Sequence, residues 1–356
     1  MSLSILCFMV KIPPRWRRPR PVLLAFAVLC SGCHTPSRTQ VDGLESVGCI
    51  WNAAPHSAFT DLLAIDDRLL CTFREGDAHV HGADGVIRII ERKADGTWHS
   101  VARVEEAGID LRDPKLSRTP DGRIMLICGG SVYVDRSLQS MATRVAFAHH
   151  DALRFGPLQP VVIDQSIATD RDWLWRITWH EGTGYGVVYQ PFEPVPEAHL
   201  VSTGDGVHYE HVATLPIDGA PNEVTLRFDA DGDMAALVRR GGGDQRAMFG
   251  QSPPPHVDWT FRPLPERIGG PDFIALGDHW VVSGRRYEAD AQRTFLARLD
   301  PNGDWTTLEV LPSGGDTSYP GLVIDDDRLL VSYYSSHEGR TSIYLATFKL
   351  GVDVDP

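Results

Sequence analysis

Helical signal is missing from this sequence. No stretch sustains apolar residues at a spacing of 3.6, which excludes an architecture built on amphipathic helices. Cysteine is scarce as well. Of six cysteines, Cys7, Cys30 and Cys33 lie in the N-terminal segment, leaving Cys49, Cys71 and Cys128. Three cysteines give no disulfide framework, and without a C-x-x-C or a nearby histidine pairing they give no metal site. Cys71 and Cys128 sit in apolar runs and read as buried thiols. Positive charge is in deficit: Lys and Arg total 34 against 47 Asp and Glu, a net charge of −13. That argues against nucleic acid, whose phosphates need a basic face, but leaves room for a small anion held by a local arginine cluster. The longest apolar run, Pro21–Leu29, is too short to span a bilayer.

That run belongs to an export signal. Lys11, Arg15, Arg17, Arg18 and Arg20 form a basic stretch before it, and Leu29-Cys-Ser-Gly-Cys33 after it resembles a lipobox. The expected organisation is a lipoprotein signal peptide over residues 1–33 ending at lipidated Cys33, a linker over 34–45, and one folded domain over 46–352. The mature protein is then lipid-anchored to a bacterial membrane, facing the periplasm or the cell exterior.

Short runs rich in Val, Ile, Leu, Thr and aromatics alternate with Gly, Asp, Asn and Pro turns, the signature of strands. They also recur as a larger unit: an apolar strand, an Asp/Gly turn, and a second apolar strand. The unit appears at Asp61–Phe73, Pro114–Ile127, Arg176–Tyr189, Glu223–Val238, Pro271–Ser283 and Pro320–Tyr333. A third strand and then a turn precede an aromatic residue in five copies: Trp98, Phe155, Tyr209, Trp259 and Trp305, spaced by 57, 54, 50 and 46 residues. Ala94–Trp98 and Ser202–Tyr209 look like degenerate Asp-boxes. In such turns Asp accepts local backbone N–H groups, Gly takes positive φ and the aromatic packs between blades. These features predict an all-β, six-bladed β-propeller. The last copy lacks a fourth strand, and Ser46–Trp51 is a spare one. Pairing it with Thr341–Lys349 closes the ring and hides both edges. Six hairpins argue against a five-bladed ring, and a period near 50 argues against a sandwich.

In a propeller, loops entering the inner strands and loops leaving the second strands meet at one face. The first set carries Arg112, Asp113, Lys115, Trp175, Arg176, Asn222, Glu223, Asp272, Asp316 and Tyr319. The second carries Arg74, Glu75, Asp77, His79, Arg239, Arg240, Arg285, Arg286, His337 and Glu338. Arginines thus gather on one rim of an acidic protein, which points to an anionic ligand.

Trp173–His180, Pro221–Phe228, Leu311–Leu322 and Val331–Gly339 resemble the bacterial exo-sialidase-like, Asp-box (BNR) family of six-bladed propellers. The resemblance covers nearly the whole mature chain. It implies hydrolysis of a terminal sialic acid or related acidic sugar from glycans, with no cofactor and no metal. It implies a Tyr nucleophile activated by Glu, an Asp acid/base, and three arginines on the substrate carboxylate. Neutral Tyr suits a carbon that already carries a carboxylate, because an anionic nucleophile would be repelled. Carried over by position, Tyr319 is the nucleophile, Glu223 its base and Asp77 the acid/base, with His79 as a second candidate proton donor. Arg239 and Arg285 match two of the arginines. The family's first arginine has no counterpart, since Ser57–Asp61 stands where it belongs. Arg74, Arg112 or Arg176 must supply that charge, Arg176 being favoured because it opens the inner strand of blade three. Asp113, Trp175 and Asp272 complete the expected substrate-binding set. With one arginine displaced, the alternative is a non-catalytic lipoprotein that binds acidic glycans.

Overall fold

The computed structural model describes residues 38–149 and 151–353; the signal segment and Cys33 lie outside them. Six sheets, antiparallel but for the short Val162–Ile163 pair at the edge of the third, follow one another around the ring, each built outward from an inner strand. The inner strands are His56–Ile65, Asp110–Arg118, Trp173–His180, Pro221–Phe228, Ile268–Leu276 and Thr317–Asp325. Each pairs with the next strand through the hairpin read from the sequence. The protein is a six-bladed β-propeller.

The ring closes as the spare strand predicts, but over a longer span. Arg38–Trp51 pairs antiparallel with Ser342–Asp353, from Arg38 opposite Asp353 to Trp51 opposite Ile343. Residues 38–45, expected as linker, are therefore strand. The last strand extends to Asp353 and would leave an unpaired edge if its partner began at Ser46. Gly43 and Gly48 carry no side chain into this edge, and three register shifts bend the pair.

The core lies between neighbouring sheets. Leu70, Ile87, Ile89, Leu116, Ile124 and Leu126 join blades one and two, and Val281, Leu296, Leu322, Val331 and Phe348 join blades five and six. The outer turns behave as Asp-boxes. Asp205 Oδ1 accepts the N–H groups of Val207 (2.7 Å) and His208 (2.8 Å), Gly206 has φ 79° and Tyr209 is buried. Asp95 accepts from Thr97 N in the same way, beside Gly96 at φ 83°. Cys71 and Cys128 are buried free thiols, and Cys49 is an exposed one.

One irregularity repeats around the ring. Every inner strand breaks register near its start: between Ala58 and Asp61, Arg112 and Lys115, Leu174 and Ile177, Asn222 and Val224, Gly269 and Asp272, and Ser318 and Gly321. In five blades the bulge holds a residue at positive φ: Phe59 (63°), Asp113 (51°), Glu223 (37°), Gly270 (55°) and Tyr319 (52°). A bulge re-aims the side chain it carries, and a non-glycine residue at positive φ costs on the order of 1–3 kcal/mol. Four such residues at equivalent positions of one ring mark the place where the fold concentrates strain.

Candidate active site

Two layers of side chains stand at the axis. In blades one, two and five the residue two places after the bulge residue is a buried charge, Asp61, Lys115 and Asp272, and these belong to a channel layer. There Arg176 pairs with Asp61 at 2.8 Å and with Asp272 at 3.4 Å, and Arg227 pairs with Asp272 at 2.6 Å. Lys115 donates to the carbonyls of Thr60 and Pro114 and lies 4.7 Å from the Trp175 ring. Burial pushes its amine down to about 8. Asp61 also accepts Leu116 N, and Asp272 accepts Phe273 N and Leu322 N. These contacts tie blades one, two, three, four, five and six together beneath the mouth.

The bulge residues themselves form the floor of the mouth. Tyr319 donates its hydroxyl proton to Glu223 Oε1 at 2.6 Å. Arg239 Nη1 donates to the same Oε1 at 2.5 Å and to the Tyr319 oxygen at 3.2 Å. Glu223 Oε2 accepts the N–H of Gly270 at 2.9 Å. A Cβ on Gly270 would stand 2.6 Å from the Tyr319 ring, so glycine is required both for φ and for space. Trp175, Phe59 and Tyr334 pack edgewise or tilted around Tyr319. Arg285 lies over the Tyr319 ring at 5.3 Å; it donates to Thr317 O, to the Tyr334 hydroxyl (2.8 Å) and to Asp316 (3.4 Å).

Electrostatics assigns protonation states. Burial and the Glu223 charge push the Tyr319 phenol well above its ordinary range, against the pull of Arg239 and Arg285. Burial would raise Glu223 too, but Arg239 and the hydrogen bonds from Arg239, Tyr319 and Gly270 hold it below the usual carboxylate range. The resting pair is a neutral phenol against a carboxylate. Burial lifts the Asp113 carboxyl, opposed by Arg112 and Lys115. Its Oδ1 is closed off with no hydrogen-bond partner, and it lines a pocket with Arg112, Trp173, Asn222, Glu223 and Arg239.

Of the residues expected to act on a ligand, Tyr319, Glu223, Arg239, Arg285, Arg112, Asp113 and His79 stand at this mouth. Four do not. Arg176 and Asp272 belong to the channel layer, enclosed by their ion pairs. Trp175 is 2 % exposed and packs beneath Tyr319. Arg74 is fully buried, bonded to Asp110 (2.7 Å) and to Ala78 O (2.8 Å). Asp77 is exposed, and its Oδ1 caps its own loop at Ala83 N. Sequence reading passed over His56, which donates to Asp316 Oδ2 at 2.9 Å, and Tyr334. Both open or close strands at the same rim, and that placement is the only signal they carry.

No family model matches the chain, and no curated protein matches its sequence. Solved structures share the fold. A protein of unknown function from Dyadobacter fermentans superposes with a TM-score of 0.73 at 15% identity, over 87% of this chain and 99% of that one. The NanB sialidase from Streptococcus pneumoniae gives 0.65 at 9% identity, over 87% and 70%. An α-L-arabinofuranosidase from Fusarium graminearum gives 0.62 at 13% identity, over 86% and 98%. The latter two neighbours are glycoside hydrolases.

Proposed function

We propose that this propeller is an exo-acting glycoside hydrolase that removes a terminal sialic acid or a related acidic sugar from glycans. The observation that carries the reading is the Tyr319–Glu223 hydrogen bond of 2.6 Å with Arg239 on both oxygens. A phenol whose proton already points at a carboxylate can attack a carbon as that carboxylate takes the proton. Attack by a neutral oxygen suits a substrate that carries its own negative charge at the reacting carbon.

Three guanidiniums face that place with hydrogen-bonding capacity to spare among the described residues. Arg239 uses Nη1 alone, Arg285 uses Nε and Nη2, and Arg112 uses Nη2. Arg112, rather than Arg176, then supplies the charge missing from blade one. It sits 5.3 Å from the Phe59 ring, in the bulge of the very strand that lacks an arginine. Together the three neutralise a substrate carboxylate and stabilise the charge redistribution of an oxocarbenium-like transition state. Asp113, lifted toward its protonated form, is placed to hydrogen-bond a ring hydroxyl. Export as a lipid-anchored protein through Cys33 would present this mouth to extracellular or periplasmic glycans.

Release of umbelliferone from an umbelliferyl sialoside, with umbelliferyl glycosides of other acidic sugars alongside, tests the reading. Turnover by the wild type and none by Tyr319→Phe is the expected result. Saturable binding of these sugars with no turnover would replace the enzyme by a glycan-binding protein.

A further inference from the structure

The chain's acid/base group need not be a carboxylic acid. Asp77, the carboxylate of the loop after the second strand of blade one, spends Oδ1 on Ala83 N. The ring of His79, two residues on, is turned the other way: Nδ1 lies 2.6 Å from Asp316 Oδ2, across the ring closure in blade six. The side chain is 44% exposed at the open side of the mouth. Phe59 packs edgewise on both the His79 ring (5.0 Å) and the Tyr319 ring (5.3 Å), so one phenyl ring separates the two.

We propose that His79, oriented by Asp316, is the acid/base residue of the reaction. The proposal rests on the glycosidase reading above. An ionised carboxylate only accepts hydrogen bonds, so the imidazole nitrogen facing it must carry a proton. Asp316 is ionised: hydrogen bonds from His56 and His79 and the Arg285 charge hold it far below the usual range, although burial opposes them. Nδ1–H of His79 is therefore fixed by Asp316, and Nε2 is the ring nitrogen on the edge away from it. Tyr334 and Arg285 anchor the other oxygen, Oδ1, at 3.0 and 3.4 Å.

The backbone that carries His79 is held with equal care. Arg74 Nη1 donates to Ala78 O at 2.8 Å, Arg112 Nη2 donates to His79 O at 2.6 Å, and Asp77 caps Ala83. Three side chains named in the sequence as ligand or catalytic groups thus converge on the loop that presents this imidazole. Such preorganisation is the mark of a group that must meet a reacting atom.

The cycle balances. Tyr319 oxygen bonds to the anomeric carbon as the bond to the leaving oxygen breaks. The phenolic proton passes to Glu223, and the Nε2 proton of the His79 imidazolium passes to the leaving oxygen. Water then attacks the same carbon, gives its proton to Nε2, and Tyr319 leaves with the proton returned from Glu223. A metal at His56, His79 and Asp316 fits less well. Ligands about 2.0–2.1 Å from a tetrahedral zinc stand roughly 3.3 Å apart. Here both imidazoles approach one carboxylate oxygen at 2.6 and 2.9 Å, beside Arg285.

The leaving group provides the test. His79→Gln should lower kcat/KM on sialyl-lactose, whose leaving alcohol needs a proton, by about 10²–10⁴-fold. On an umbelliferyl sialoside, whose leaving phenol does not, it should lose about tenfold or less. Equal losses on both substrates, or this asymmetry in Asp77→Asn or Asp113→Asn instead, overturn the assignment. Nitrogen-15 NMR reads the dyad directly, whatever the turnover. An Nδ1–H tautomer at His79 that is lost in Asp316→Asn is expected, and an Nε2–H tautomer in the wild type overturns it. A wild type with no activity on any acidic glycoside defeats the glycosidase reading instead.

Discussion

Arg176 and Arg239 stand on the second-layer and mouth sides of adjacent blades, and their surroundings differ sharply. Arg176 is buried and held between Asp61 and Asp272. Arg239 commits one nitrogen to Glu223 and Tyr319 and turns the rest of its guanidinium to the pocket. Charge at the axis of a propeller is therefore not by itself a ligand site. The channel layer ties the blades to one another through ion pairs, and the mouth layer opens onto the pocket. The bulge in each inner strand divides the two layers, setting a residue such as Asp113 or Tyr319 in one and its neighbour two places on, Lys115 or Gly321, in the other.

Substitutions separate the layers. Tyr319→Phe should lower kcat by about 10³-fold or more with an unchanged melting temperature, measured by umbelliferone release and calorimetry. Arg176→Met should do the reverse. It leaves Asp61 and Asp272 without their shared cation in a buried channel, and breaking such a pair costs about 3–5 kcal/mol. Urea melts should show that loss, while kcat/KM of the folded fraction holds. If Arg176→Met keeps its stability and raises KM for an acidic sugar, the division into layers is wrong. Arg112→Met sharpens the mouth: KM should rise about tenfold or more for an acidic sugar and little for its methyl ester, at constant stability. Gly270→Ala couples the layers, forcing positive φ on alanine and a methyl group onto Tyr319. It should cost about 1–3 kcal/mol and also depress kcat.

Acid unfolding gives the smallest effect. Glu223 and Asp316 have folded-state values held below those of free carboxylates. Asp205 in its Asp-box is held down to about 2: slight burial opposes, but hydrogen bonds from His208, Val207 and Thr203 outweigh it. Groups lowered in this way stabilise the fold above their unfolded value, near 4, and lose that contribution as pH falls through the folded value. Asp205→Asn should flatten the dependence of the urea midpoint on pH between about 4 and 2.

The blades were legible in the sequence because each hairpin announces itself. Asp66-Asp67, Asp121-Gly122 and Asp231-Gly232 break apolar runs at equivalent places, and turn chemistry of that kind is local. Ring closure was legible from a surplus strand, although its start at Arg38 depends on a partner far along the chain. Tyr319, Glu223, Arg239 and Arg285 were legible by resemblance. The layer to which Arg176 and Asp272 belong was not, because a bulge shifts a side chain without leaving a trace in composition or period. Arg74 and Asp77 lie in the expected loop, but Arg74 bonds to Asp110 and Ala78 O and Asp77 accepts Ala83 N, contacts that only coordinates reveal. His56 and Asp316, 260 residues apart, meet only because the ring closes.

A fluorinated sialosyl fluoride, whose ring fluorine slows the second displacement, tests the central claim most directly. Peptide mass spectrometry after incubation should find one sugar bound to the peptide containing Tyr319 in the wild type, and none in Tyr319→Phe. A wild type that hydrolyses acidic glycosides yet carries the sugar on another residue would contradict the account.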